Sequence, residues 1–155
     1  MTLKEIRKQN KLTQKDAAIL IGVPYRTYVR YEEKEPNINS YKYEKMVLDL
    51  DDKLHIDETH GVYPLEKIKE LLLPILRKHN ISYCYLFGSY ARNEAKPTSD
   101  IDLLVDTDMT GIRFLGLVEE IRERLCKKID LLRLKDLEVN NPIVLQILKE
   151  GNRLL

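Results

Sequence analysis

The chain has 155 residues, with 26 Lys and Arg side chains against 25 Asp and Glu, so its net charge of +1 excludes a uniformly basic protein that coats nucleic acid. This length predicts one or two small domains. No N-terminal stretch resembles a signal peptide and no apolar run approaches the length of a membrane span, so we expect a cytoplasmic protein without a membrane partner.

Charge is unevenly distributed along the first 60 residues. Residues 1–30 contain seven basic and two acidic side chains, whereas residues 31–60 contain four basic and nine acidic ones. A basic segment followed by an acidic one favours a face directed at a polyanion. Solvated helix faces that differ in charge by chance would give the same counts, so charge alone leaves both interpretations open.

The first 50 residues predict four short helices. These helices begin at Leu3, Gln14, Pro24 and Ser40, with the third ending near Glu33 and the fourth near Leu50. Thr13 is the expected N-cap of the second helix, and Gly22 supplies the turn after it. Pro36, Asn37 and Asn39 predict a break before the fourth helix.

The segment LTQKDAAILIGVPYRTYVRYEE, residues 12–33, has a helix, a glycine turn and a second helix. Small side chains at Ala17 and Ala18 would let the two helices approach. The pattern resembles the Cro and lambda-repressor-like helix-turn-helix family over residues 3–55, in which the second helix lies in the major groove.

This resemblance implies an all-α domain at residues 1–55 that binds operator DNA as a homodimer. It places five residues at the DNA, namely Gln14, Tyr25, Arg26, Thr27 and Arg30. A helical adaptor that no longer touches DNA is the alternative, because exposed arginines also occur on solvated helix faces.

The stretch from Asp51 to Pro64 is polar and acidic, and its residues 56–64 are the predicted linker. His55 and His60 have no further histidine or cysteine nearby, so we interpret them as solvated rather than as metal ligands. Cys84 and Cys126 have no metal or redox spacing, and the apolar run around Cys84 predicts a free, buried thiol.

From Leu65 the pattern changes to alternating helices and strands. The predicted helices are Leu65–His79, a start at Ser89–Ala95, Ile112–Cys126 and Pro142–Lys149. The predicted strands are Tyr83–Phe87, Asp100–Val105 and Ile129–Leu134. Residues 65–155 therefore predict an α/β (α+β) module with a small mixed sheet flanked by helices.

Two carboxylates interrupt the second of these strands. Because side chains alternate along a strand, Asp100 and Asp102 leave the same face while Ile101 and Leu103 point into the core. Asp130 stands on the next strand and could converge with them. Unpaired carboxylates would repel one another, and a divalent cation such as Mg²⁺ removes that cost.

A Gly-Ser pair lies ten residues ahead of Asp100. Gly88 lets the backbone approach a phosphate closely, and Ser89 offers a donor to the anion. A phosphate cradle beside an Asp-x-Asp pair is typical of phosphoryl or nucleotidyl transfer with two metal ions.

The segment FGSYARNEAKPTSDIDLLVD, residues 87–106, resembles the polymerase-β-like nucleotidyltransferase superfamily, in particular its minimal members, and the likeness covers about residues 65–155. It implies ATP as substrate and two Mg²⁺ ions held by three catalytic carboxylates, Asp100, Asp102 and Asp130, the last also as a base. It implies nucleotide contacts by Gly88, Ser89, Arg92 and Ser99. Asn93 stands where the family often has Gly.

The minimal members of this superfamily are commonly antitoxins. The resemblance implies a partner toxin with a HEPN domain, transfer of AMP from ATP to a tyrosine of that toxin, and autoregulation of the operon through the DNA-binding domain. The short transferase module also leads us to expect an acceptor on a partner. Two alternatives remain open: a transferase acting on a small molecule such as an aminoglycoside, and a transcriptional regulator whose non-catalytic domain senses nucleotide.

Overall fold

The computed structural model describes residues 1–35 and 40–155 and divides into two compact units, Met1–His55 and Ile56–Leu155. The break predicted at Pro36, Asn37 and Asn39 lies outside the described residues. Each unit has its own hydrophobic core. Within the described ranges, no helix has the length and apolar character needed to cross a membrane.

The described part of the first unit is helical. Its helices are α1 (Leu3–Gln9), α2 (Gln14–Leu20), α3 (Tyr25–Glu33) and α4 (Tyr41–Leu54). Thr13 caps α2 as predicted, since its side chain accepts a hydrogen bond from the Asp16 N–H and the Asp16 side chain accepts one from the Thr13 N–H. Pro24 stands at the N-cap of α3 rather than inside the helix, and α4 ends at Leu54, beyond its predicted end.

The core of the first unit holds α2 and α3 together. The buried residues are Leu3, Ile6, Ala17, Ala18, Tyr28, Met46 and Leu50. Arg7 on α1 adds a pair of hydrogen bonds to Glu32 on α3, from Nε at 3.0 Å and Nη2 at 2.7 Å. Burial alone would raise the pKa of the Glu32 carboxyl, but the hydrogen bond and charge of Arg7 bring it below its usual value. The predicted all-α helix-turn-helix domain is confirmed.

The second unit alternates helices and strands. Its elements are α5 (Leu65–Lys78), β1 (Cys84–Phe87), α6 (Gly88–Ala91), β2 (Ile101–Val105), α7 (Gly111–Leu125), β3 (Ile129–Arg133), a 3-10 turn (Leu134–Asp136), α8 (Pro142–Glu150) and β4 (Asn152–Arg153). The three predicted strands are confirmed, whereas β4 was not predicted. Pro74 lies within α5.

The four strands form one mixed sheet in the order β3-β2-β1-β4. Strand β1 is antiparallel to β2 and β4, and β2 is parallel to β3. One face carries Leu86, Ile101 and Leu103, which pack with side chains of α5 and α7 in the main core. The opposite face carries Phe87 and Leu104, which pack with Ile147 of α8 in a smaller cluster. The predicted small mixed sheet flanked by helices is confirmed.

Segment 56–64, predicted to be a linker, belongs to the second unit in this structure. The ammonium group of Lys127, a fully buried residue, donates to the carbonyl oxygens of His60 at 3.1 Å and Gly61 at 2.8 Å. Glu58 accepts a hydrogen bond of 2.8 Å from Arg122 of α7. These contacts fasten the segment to the rest of the second unit.

Candidate active site

Strand pairing places Asp102 beside Asp130. The two residues are register partners across the parallel strands β2 and β3, so their side chains leave the same face of the sheet. Asp100 directly precedes β2, and Ile101 and Leu103 are buried on the opposite face as predicted. The fold therefore brings together the three carboxylates that the sequence singled out.

The pKa of Asp102 reflects the charges of the neighbouring carboxylates. Burial, together with the charges of Asp130 and Asp100, raises the pKa of Asp102 from 3.8 to about 6, and the positive charge of Arg92 opposes the rise. A carboxylate whose ionised form is disfavoured by its neighbours gains from a nearby cation. The surroundings of Asp102 thus favour a positive charge beside it.

Gly88 lies against the same carboxylate. Its φ of +72° falls in the left-handed region, and a Cβ atom built there would overlap the Asp102 Oδ2 and stand 3.0 Å from its Cγ. Phe87, the residue before it, is the register partner of Asp102 across β1 and β2. A side chain at position 88 would therefore collide with the carboxylate, and glycine lets the backbone pack against it.

The other predicted nucleotide ligands follow Gly88 along the chain. Ser89 is half-buried within α6, and Arg92 is the C-cap of that helix. Ser99 precedes Asp100, and its hydroxyl accepts a hydrogen bond of 2.9 Å from the Lys96 N–H. Ser89 and Arg92 thus stand at the candidate phosphate turn, while the Ser99 hydroxyl holds the loop that leads to Asp100.

Asn93 also adopts the left-handed conformation, with φ of +57°. Asparagine tolerates this region better than most residues, because its short polar side chain can hydrogen-bond locally. The replacement of the frequent family glycine by Asn93 therefore preserves the backbone path after α6.

The donor set fits Mg²⁺. Within the described ranges, no three His, Cys, Asp or Glu side chains are close enough together to hold a metal ion by themselves. Mg²⁺ commonly takes only one or two protein carboxylates and completes its shell with water and substrate phosphate oxygens. The hard oxygens of Asp102 and Asp130, with Asp100 beside them, suit that mode of binding.

Sequence reasoning missed two side chains near the site. Lys127 also donates to the carbonyl oxygen of Pro97, on the loop before Asp100, and thereby positions that loop. Glu150, at the end of α8, contacts Arg92 with a distance of 2.8 Å from Oε2 to Nη1. No local pattern distinguishes either residue from the exposed lysines and glutamates of the chain, so both depend on the tertiary structure.

The predicted DNA contacts lie on α2 and α3. Tyr25, Arg26 and Arg30 are exposed along α3, with the Arg30 guanidinium 5.4 Å from the ring centroid of Tyr31. Thr27 is half-buried. Gln14 opens α2, and its side-chain amide donates to Glu32 near the end of α3 at 3.3 Å.

The predicted buried thiol is also confirmed. Cys84 is free and fully buried, and burial raises the pKa of its thiol to about 12. Cys126 is exposed at the end of α7. Neither cysteine enters the candidate site.

A carboxylate pair beside a glycine turn, in a unit that follows a helix-turn-helix unit along the chain, is the arrangement of a nucleotidyltransferase with an added helix-turn-helix domain. Residues 66–155 match the family model described as polymerase beta, nucleotidyltransferase, and residues 3–47 match a helix-turn-helix model. The chain belongs to the polymerase beta nucleotidyltransferase family. Both family predictions made from the motifs are confirmed.

Several known proteins are similar to parts of this chain. "Putative protein adenylyltransferase MJ0435" of Methanocaldococcus jannaschii is 46% identical over 71 residues, which cover 44% of this chain and 75% of the relative. A chain in a crystal structure of a toxin-antitoxin with AMP-PNP is 26% identical in sequence to this chain, with a TM-score of 0.46. The match covers 56% of this chain and 72% of the chain in that structure. The complex of a tri-AMPylated Shewanella oneidensis HEPN toxin with an MNT antitoxin is 24% identical, with a TM-score of 0.44 and coverages of 58% and 71%.

Proposed function

We propose that this chain is a Mg²⁺-dependent adenylyltransferase that moves AMP from ATP onto a protein acceptor. The observation that carries the proposal is the placement of Gly88 against Asp102, with Asp130 paired to Asp102 in the neighbouring strand. Membership of the nucleotidyltransferase family supports the reaction class. The name of the Methanocaldococcus relative supports a protein as the acceptor.

Each residue of the site has a distinct task in this reaction. Mg²⁺ held by Asp102 and Asp130, with Asp100 beside them and phosphate oxygens completing its shell, would neutralise charge on those oxygens. Gly88 lets the backbone of the turn approach a phosphate group closely, and the Ser89 hydroxyl donates a hydrogen bond to it. The carboxylate of Asp130, an exposed residue, is accessible to an incoming acceptor and takes the proton of its hydroxyl.

Every bond and proton in the proposed transfer can be accounted for. The acceptor oxygen attacks the α-phosphorus of ATP, the bond to the β-phosphate oxygen breaks, and pyrophosphate leaves. The AMP unit stays on the acceptor, and the proton passes to Asp130. Positioning of the acceptor hydroxyl supplies much of the rate, so water should be a poor substitute for it.

For the acceptor we propose a tyrosine of a HEPN-domain toxin, which makes this chain the antitoxin of a two-gene system. The support is the near-complete match of residues 88–105 to the signature of minimal nucleotidyltransferases. The helix-turn-helix unit would bind operator DNA as a homodimer through α3 and regulate the same operon. Arg26 and Arg30, both exposed on α3, support that role.

Calorimetric titration with AMP-PNP tests the site. We expect binding in Mg²⁺, and loss of most affinity in excess chelator or in the Asp100→Asn, Asp102→Asn double variant. Asp106→Asn is the matched control, since it removes an exposed carboxylate just beyond β2 and should bind like the unaltered protein. Equal affinity with and without Mg²⁺ would contradict the metal assignment.

A further inference from the structure

Arg92 is the one predicted nucleotide ligand whose charged group already has carboxylate partners in the structure. Its Nε lies 2.8 Å from Oε2 of Glu94, and its Nη1 lies 2.8 Å from Oε2 of Glu150. Both carboxylates donate no hydrogen and accept from the guanidinium, as phosphate oxygens would. The hydrogen bonds from Arg92 to both acids hold the pKa of the guanidinium above its usual range.

The two acidic partners differ in origin. Glu94 lies two residues away on the same loop, whereas Glu150 comes from the end of α8, 58 residues along the chain. The side chains of Arg92 and Glu150 are 35% and 29% exposed, so a ligand can reach the pair. Asn152 donates from its side-chain amide to the Ala91 carbonyl oxygen at 3.4 Å, which supports the same approach of the C-terminal segment to α6.

The position of Arg92 connects the pair to the candidate site. Arg92 caps α6, the helix that begins at Gly88, and Gly88 lies against the carboxylate of Asp102. The charge of Arg92 is also felt at Asp102. A nucleotide triphosphate at the Gly88 turn therefore meets a guanidinium that carries two carboxylates, whose negative charge opposes the ligand.

We propose that Glu150 occupies Arg92 as a stand-in for phosphate oxygens, so that nucleotide binding requires exchange of this carboxylate for the triphosphate. The inference rests on the proposed nucleotide site. Glu150 then acts as a positioning residue that sets nucleotide affinity and holds Arg92 beside the Gly88 turn. Release of Glu150 on binding would remove one of the contacts that hold the end of α8 to α6.

Glu150→Gln tests the exchange, because glutamine keeps the shape of the side chain and removes the competing charge. We expect its dissociation constant for AMP-PNP with Mg²⁺ to be about two- to fivefold lower than that of the unaltered protein, the size typical of a solvent-accessible ion pair. Glu138→Gln removes an exposed charge just before α8 and serves as the matched control, with an expected change of less than about 1.5-fold. In an Arg92→Ala background, Glu150→Gln should have no more effect than the control.

The outcomes separate the inference from the proposed function. Failure of the unaltered protein to bind AMP-PNP with Mg²⁺ would overturn both. Binding by the unaltered protein, with Glu150→Gln unchanged or weaker than Glu138→Gln, would overturn the exchange alone and leave the proposed function standing. A lower melting temperature of Glu150→Gln together with weaker binding would show that the pair is a structural brace and would also overturn the exchange.

Discussion

Gly88, at the junction of β1 and α6, lies so close to Asp102 of β2 that a Cβ atom on the glycine would overlap the carboxylate Oδ2. The relationship explains why a glycine with φ of +72° begins the helix that follows β1. It also means that a substitution of Gly88 can be used to test the candidate site.

Gly88→Ala should abolish most nucleotide binding. The new methyl group would overlap Asp102 Oδ2 and would also require a left-handed backbone, which costs about 1 kcal/mol for alanine. We expect at least a tenfold rise in the dissociation constant for AMP-PNP, with the circular dichroism spectrum unchanged. Gly116→Ala, at a helix position with no atom near the added Cβ, is the control and should bind normally. Normal binding by Gly88→Ala would contradict the assigned site.

The charge of Asp102 should destabilise the protein when no divalent cation is present. Its folded pKa of about 6 lies above the ordinary 3.8, so the folded state holds the proton more tightly than the unfolded chain. The penalty is complete above pH 6 and disappears as the pH falls toward 4. Asp102→Asn should therefore raise the free energy of unfolding at pH 7.5 in chelator by about 1–2 kcal/mol, discounted for partial exposure.

Urea denaturation in chelator at pH 7.5 and pH 4.5 measures this difference. The advantage of Asp102→Asn should shrink at the lower pH, because Asp102 is then largely protonated in the folded protein. Asp106→Asn should show no comparable gain. A less stable Asp102→Asn variant at pH 7.5 would show that the carboxylate is not under repulsion.

Lys127 should contribute strongly to stability because its buried ammonium group satisfies backbone carbonyl oxygens from two separate segments. Its ammonium group donates to three backbone carbonyls, those of His60, Gly61 and Pro97, and burial lowers its pKa. Lys127→Met leaves these acceptors unsatisfied and should cost about 2–4 kcal/mol of unfolding free energy. Lys128→Met, at the adjacent exposed position, should change it by less than about 0.5 kcal/mol. Equal denaturation midpoints for the two variants would refute this role.

The exposed arginines of α3 should determine DNA affinity. Arg26→Ala and Arg30→Ala should each weaken binding to the chain's own promoter region, by about 1–3 kcal/mol where the side chain reads a base edge. A side chain that contacts phosphate should instead reduce the salt dependence of binding by about one charge. Arg77→Ala, in the last turn of α5, changes the net charge equally and is the control. Salt-independent binding would favour the helical adaptor.

Much of the candidate site could be predicted from the sequence, but the contacts between distant segments could not. Alternation along a strand predicts that Asp100 and Asp102 share a face, because side-chain direction is a local property. The register that places Asp130 beside Asp102 depends on parallel pairing of strands separated by a helix, which local pattern does not encode. Sequence order likewise gives no sign that Glu150 meets Arg92.

The burial of Lys127 could not be predicted from the sequence either. In the sequence it is one of two adjacent lysines before a strand, and nothing local separates the buried Lys127 from the exposed Lys128. The carbonyls that accept its hydrogen bonds come from segment 56–64 and from the loop before Asp100, both distant along the chain. Only the packed structure brings a donor and three acceptors to one place.

The central claim is transfer of AMP to a partner protein, and intact-mass spectrometry tests it most directly. This chain, ATP and Mg²⁺ would be mixed with the product of a neighbouring reading frame that carries the Arg-x4-His motif of HEPN proteins. The account predicts a partner heavier by whole AMP units on a tyrosine, with sharply slower transfer by Asp130→Asn. A partner of unchanged mass, together with transfer of AMP to a small molecule and release of pyrophosphate, would contradict it.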